Sequence, residues 1–124
     1  MAQTIHQAET KPLHAAADKR TFPNGKLEIV EIAGTEFARA TMQPGWKWSE
    51  SVKPIAGTES CEVPHLGYVV SGRMTVAMND GTRLQLRGGD AVSIPPGHEA
   101  WVEGNEPFVM IDFAGSSDYA KPHR

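Results

Sequence analysis

An all-β, antiparallel fold is predicted by three features of the 124-residue sequence. Short segments alternate with the two-residue period of a strand, most clearly at 73–79, where Met74, Val76 and Met78 alternate with Thr75, Ala77 and Asn79. Turn signals separate these segments closely: Pro44-Gly45, Asp80-Gly81, Gly88-Gly89-Asp90 and Pro95-Pro96-Gly97. No stretch carries a convincing helical period. Short strands at close spacing without helices indicate an antiparallel sandwich or barrel.

Along the chain, residues 1–20 are polar and mixed and are read as an N-terminal tail, with a turn of helix allowed around 15–20. Pro23-Asn24-Gly25 is a turn. Residues 27–33 (LEIVEIA) form a strand broken by Gly34. Residues 36–43 form a second, with Ala38, Ala40 and Met42 on the expected core face. Residues 46–58 hold two tryptophans two apart, Trp46 and Trp48, in a segment made irregular by Pro54 and Gly57. Strands follow at 66–71, 73–79, 83–87 and 91–94. The Asp80-Gly81 pair is the clearest hairpin signal, because it tolerates positive φ. Pro95-Pro96-Gly97 stops the chain sharply, and Gly97 is expected at positive φ. Strands at 98–103 and 108–113 complete the domain, assigned to 21–114, and a C-terminal tail takes 115–124.

Composition bounds the function. This length builds one core, not two. A net charge of −3 gives no electrostatic reason to expect nucleic acid or an anionic membrane as partner. No run of about 18 apolar residues is available to cross a bilayer. The first residues lack an apolar signal region, and a single cysteine suits a reducing compartment, so a cytoplasmic protein is expected. No phosphate loop, nucleophile elbow or CxxC motif is present. Asp90, following Gly89, reads as a turn residue.

Metal-ligand residue types flank the strands at 66–94. Cys61, the only cysteine, and His65 precede them, and His98 follows the Pro-Pro-Gly turn; the other histidines lie near the termini. One continuous strand would hold Cys61 and His65 about 13 Å apart, too far to share an ion. They meet only if the chain turns at Pro64, which favours extended or turn geometry before it. Each has a plainer reading, Cys61 as a small buried hydrophobe and the histidines as satisfied or exposed side chains.

The run GYVVSGRMTVAMNDGTRLQLRGGDAVSIPPGHEAW resembles the cupin superfamily, small single-domain β-barrels of jelly-roll type. Gly89, Pro95 and Gly97 match the family pattern of a glycine, five residues and Pro-x-Gly, and Gly72 matches the glycine that closes its first motif. The resemblance implies a cupin β-barrel with a short N-terminal extension and a ligand site inside. Metal-binding relatives carry His-x-His, then Glu. In that frame Glu59 takes the first histidine place, Cys61 the second and His65 the glutamate place. Ala100 takes the place of the last histidine, and His98 lies two residues earlier, on the same strand face.

The resemblance therefore implies a divalent metal held by Cys61, His65 and His98, with Glu59 as fourth ligand or general base. A thiolate with two imidazoles favours Zn²⁺, with iron or nickel compatible. Met42, Trp46, Trp48 and Tyr68 are the expected walls of a small-molecule pocket. The alternative is a metal-free binding or sensory module holding an apolar or sugar-like ligand between Trp46, Trp48 and Tyr68. The fold alone names no reaction or substrate. A homodimer is expected from the N-terminal extension, with Leu13 and the alanines at 15–17, and from exposed sheet edges.

Overall fold

A computed structural model describes residues 5–114 and 118–122. Nine strands form two antiparallel sheets. The strands are β1 (Asp18–Phe22), β2 (Gly25–Ile32), β3 (Thr35–Met42), β4 (His65–Ser71), β5 (Arg73–Met78), β6 (Arg83–Arg87), β7 (Ala91–Ile94), β8 (His98–Glu103) and β9 (Phe108–Asp112). The larger sheet runs β1-β2-β3-β9-β4-β7 and the smaller runs β6-β5-β8. Their facing side chains, among them Leu27, Ala38, Met42, Val69 and Met110 from one and Met74, Val76, Leu86 and Ala100 from the other, form a single core.

The hairpins follow the turn chemistry. Pro23 and Asn24 link β1 to β2, with Asn24 at φ 63°. Ala33 and Gly34, at φ 50° and 76°, make a two-residue turn between β2 and β3, the backbone twist that antiparallel neighbours favour. Gly97 has φ 94°.

Three expectations are corrected. The 15–20 stretch is not a helical turn: Leu13–Ala15 forms one 3-10 turn against β2, and Asp18–Phe22 is a full strand. Its sequence DKRTF alternates too weakly to announce itself, and pairing with β2 decides its conformation. The 46–58 segment is more regular than its Pro and Gly imply. It holds two short helical turns, α1 (Trp48–Ser51) and α2 (Lys53–Ala56). Pro54 is tolerated because it lies in the first turn of α2, where no intrahelical N–H bond is lost, and Gly57 at φ 76° caps the end. Lastly, backbone pairing does not close a barrel. Among the described residues the sheets remain separate, and two isolated bridges, Lys47 to Trp101 and Cys61 to His98, lay loops along the β8 edge.

No helix among the described residues is long and apolar enough to cross a membrane. The N-terminal segment packs on its own sheet, where Glu28, only 2% exposed, is paired with Arg39 at 3.0 Å.

Gly72 and Gly97 differ in what surrounds them. A Cβ on Gly97 meets the movable amide of Asn79 at 3.2 Å, whereas one on Gly72 falls 2.3 Å from Pro107 O and 2.6 Å from Phe108 Cα. Gly97→Ala is expected to cost about 1–2 kcal/mol from the left-handed backbone alone. Gly72→Ala, also at φ 85°, adds a backbone clash and is expected to cost about 3 kcal/mol or more. Denaturant unfolding of both variants measures the difference; equal losses would count against it.

Candidate metal centre

Backbone pairing assembles the cluster. Cys61 N–H donates to His98 O at 2.8 Å and His98 N–H to Cys61 O at 3.3 Å, so the two residues face each other as a hydrogen-bonded antiparallel pair. Such partners carry their side chains on the same side. Residues 62–64 form no regular element, and His65 opens β4. The connection brings the imidazole to the thiol: His65 Nε2 lies 3.9 Å from Cys61 Sγ. The His65 and His98 rings meet edge to face at 5.4 Å. One ligand atom from each of Cys61, His65 and His98 lies within 4.8 Å of the others.

Both rings are held by their other nitrogen. His65 Nδ1 donates to Asp112 Oδ2 at 2.6 Å, and His98 Nδ1 donates to Pro95 O at 2.9 Å. A carbonyl only accepts, so His98 Nδ1 carries a proton. Asp112 stands opposite Gly67 on the neighbouring strand, diagonal to His65 on the same face. Its second oxygen accepts from Ala114 N–H at 3.0 Å. Tyr119 packs edge-on against His65 at 5.6 Å and against Phe22 at 6.0 Å. Arg20 Nη1 donates to Tyr119 O at 2.9 Å, fixing this C-terminal residue to β1.

Burial and charge compete here. Burial opposes ionisation of Cys61, but the neighbouring His65 and His98 rings outweigh it and bring the thiol down to about 6. Burial likewise opposes charge on His65, yet Asp112 and Cys61 raise the imidazole to about 9. Burial, with Cys61 and Asp112 nearby, pushes the Tyr119 phenol well above its ordinary value.

The donor set fits a metal ion. Tetrahedral zinc with Zn–S of about 2.3 Å and Zn–N of about 2.0 Å separates sulfur from nitrogen by about 3.5 Å, close to the spacing present. A ligating histidine with its far nitrogen on a carboxylate is the usual second-layer support of such ions, and Asp112 supplies it for His65.

The cluster opens into a cavity of about 50 Å³ whose walls include Met42, Trp46, Trp48, Met74, Leu86 and Met110. Of the expected pocket walls, Met42, Trp46 and Trp48 line it. Tyr68 does not: it is 46% exposed, on the outer face of β4. Glu59 also stands apart, its side chain 96% exposed and paired with Lys53 at 2.9 Å. Asp112 and Tyr119 were not anticipated. Phe108, Met110 and Asp112 alternate, so an acid at a core-facing position was a readable signal; nothing in the sequence around Tyr119 marks it.

A family model described as "Cupin domain" matches residues 39–114. Solved structures share the fold. KdgF from Halomonas sp. superposes with a TM-score of 0.60 at 20% identity, covering 88% of this chain and 94% of that one. A Cupin 2 conserved barrel domain protein from Salinispora arenicola gives 0.59 at 20% identity, covering 90% and 92%. A cupin-like protein from Thermotoga maritima gives 0.51 at 17% identity, covering 79% and 72%. No curated protein matches the sequence.

Between about pH 6 and about 9 the metal-free pair is therefore thiolate and imidazolium. Zinc uptake must then displace the His65 Nε2 proton, so this pair is expected to release about one proton at pH 8, about half a proton near pH 9 and a falling fraction above it. Calorimetry in buffers of different ionisation enthalpy counts the protons; a release that stays constant through pH 9 contradicts the assignment.

Proposed function

The chain belongs to the cupin family, and from that premise we propose that it is a metal-binding cupin in which Cys61, His65 and His98 hold one divalent ion beside a small-molecule pocket. The observation that carries the reading is the convergence of three ligand atoms within 4.8 Å, with both imidazoles anchored through their far nitrogens. Zn²⁺ is the preferred ion, because a thiolate with two neutral imidazoles is a borderline-soft set; iron and nickel rank below it. Glu59 is left out of the ligand set, and the fourth place belongs to water or a ligand. A bound ion of this kind supplies Lewis acidity and lowers the pKa of coordinated water. The chain's own residues orient and shield. Asp112 fixes the His65 tautomer, Pro95 O fixes that of His98, and the apolar walls keep bulk water away. The thiol is free and buried, and its use as a ligand requires it reduced, which supports a cytoplasmic setting.

The competing reading is a metal-free small-molecule binding module. It is favoured by the apolar walls of the cavity and by the two buried tryptophans that line it.

Metal analysis of protein purified without chelator separates the two readings. About one zinc per chain is expected, falling at least tenfold in affinity in Cys61→Ser and His98→Ala, with a smaller loss for harder ions in Cys61→Ser. A wild-type chain that takes up no zinc under any condition sinks the metal reading and leaves the binding module.

We further propose a homodimer formed through the outer face of β4. Leu66, Tyr68 and Val70 are alternate residues of one strand, 54%, 46% and 49% exposed, and Phe113 is 39% exposed. The N-terminal extension is occupied on its own β2, so this row is the better-supported contact surface. Sedimentation at tens of micromolar is expected to give a dimer and Tyr68→Glu a monomer with unaltered zinc content; a wild-type monomer under these conditions rejects the interface.

A further inference from the structure

Among the described residues the cluster draws its donors from one thiol and two imidazoles, Cys61, His65 and His98, and no carboxylate oxygen shares it. The neighbouring acid, Asp112, gives one oxygen to His65 Nδ1 and the other to Ala114 N–H. Two imidazoles and a thiolate around one ion, with a long, weak thioether on the axis, are the donors of copper sites that pass single electrons. An ion in the plane of the three ligands, at bond lengths of about 2.3 and 2.0 Å, holds sulfur and nitrogen about 3.7 Å apart. Cys61 Sγ and His65 Nε2 are 3.9 Å apart, so the pair fits this plane as well as a tetrahedron. We infer that Cys61, His65 and His98 also form a copper site, with the Met110 thioether as its axial neighbour, and that the site carries one electron per chain by cycling between Cu(I) and Cu(II). The inference rests on the ligand set proposed above and adds an ion and an activity to it.

Three methionines, Met42, Met74 and Met110, line the same cavity. The sheet directs Met110 toward the cluster. Met110 stands opposite Val69 on β4, yet its terminal methyl reaches Gly67, where a Cβ would lie 2.7 Å from it. Gly67 is the next inward position along β4 before His65, so the thioether runs from Val69 toward the His65 end of the strand. Cu(II) destroys accessible thiols in pairs: two thiolates give one electron each to two Cu(II) ions and join as a disulfide. Cys61 is the chain's only cysteine and is 2% exposed, so a second thiol does not reach it. The thiolate stays a ligand in both oxidation states, and the electron passes to or from an outside one-electron partner. Asp112 and Pro95 O hold the two rings from behind in either state. Affinity runs copper over zinc, and availability decides which ion fills the site, so zinc occupies it where copper is scarce.

The test strips the full chain of metal and adds one equivalent of Cu(II) in the absence of oxygen. An intense visible thiolate-to-copper absorption is expected, and it is absent from Cys61→Ser. One equivalent of titanium(III) citrate, a one-electron donor, bleaches the band, and one of ferricyanide restores it. Cu(II) is also expected to displace zinc from the loaded chain. Met110→Leu conserves volume and removes the sulfur. It is expected to keep the band and raise the reduction potential, because the oxidised ion loses a donor, while Met42→Leu and Met74→Leu leave the potential in place. If Met110→Leu moves the potential no further than those two controls, the axial assignment is overturned. If the chain takes up one zinc but Cu(II) gives no thiolate band, or yields a disulfide-linked dimer, the copper inference is overturned and the zinc reading stands. If neither metal binds, the ligand set itself is rejected together with this inference.

Discussion

The antiparallel bridge between Cys61 and His98 is the constraint on which the rest of the site depends. Two backbone hydrogen bonds place the residues face to face, and Gly97 N–H adds a third contact to Cys61 O at 2.7 Å. Gly97 reaches that carbonyl from φ 94°, a backbone that glycine adopts without the strain a side chain imposes. The bridge covers part of the β8 edge, satisfying backbone groups that an open sheet leaves unpaired. It also projects a thiol and an imidazole to the same side, into the space between the two sheets. The connection through Pro64 then needs only to deliver His65 to the start of β4.

A polar cluster in an apolar core is stable only when each member has a partner. Here they form a chain from Ala114 N–H through Asp112 and His65 to Cys61, with His98 tied separately to Pro95 O. Charge separation inside this chain offsets burial: thiolate, imidazolium and carboxylate alternate in sign. A metal ion in place of the His65 proton would keep the same alternation. The result is a cavity polar at one end and apolar elsewhere.

Sheet assembly places the outlying parts. β9 sits between β3 and β4, so the carboxylate of its last residue falls beside the first residue of β4. Gly67, opposite Asp112, has no room for a side chain: a Cβ there lies 2.1 Å from Ile111 O. Arg20 on β1 holds the backbone of Tyr119, which lines the cavity.

Local chemistry made much of this legible in the sequence. Alternation at 73–79 and 83–87 and the glycines of the turns specify strands and hairpins, because side-chain parity and positive φ are properties of a few adjacent residues. Cys61, His65 and His98 were recognisable by residue type within the family frame. Tyr68 was misplaced because the stretch LGYVV is apolar at both parities, so its pattern cannot tell the inner face from the outer. Only the register of β4 against β7 and β9 turns Gly67 and Val69 inward and Leu66, Tyr68 and Val70 outward. Glu59 shared the spacing of a ligand but spends its charge on Lys53 in solvent. Asp112 and Tyr119 lie 47 and 54 positions beyond His65 and meet it only through the packed sheets. Turns and strand periods are short-range and were determined by sequence alone. Which carboxylate, ring and wall reach the thiol is long-range, and only the tertiary structure decided it.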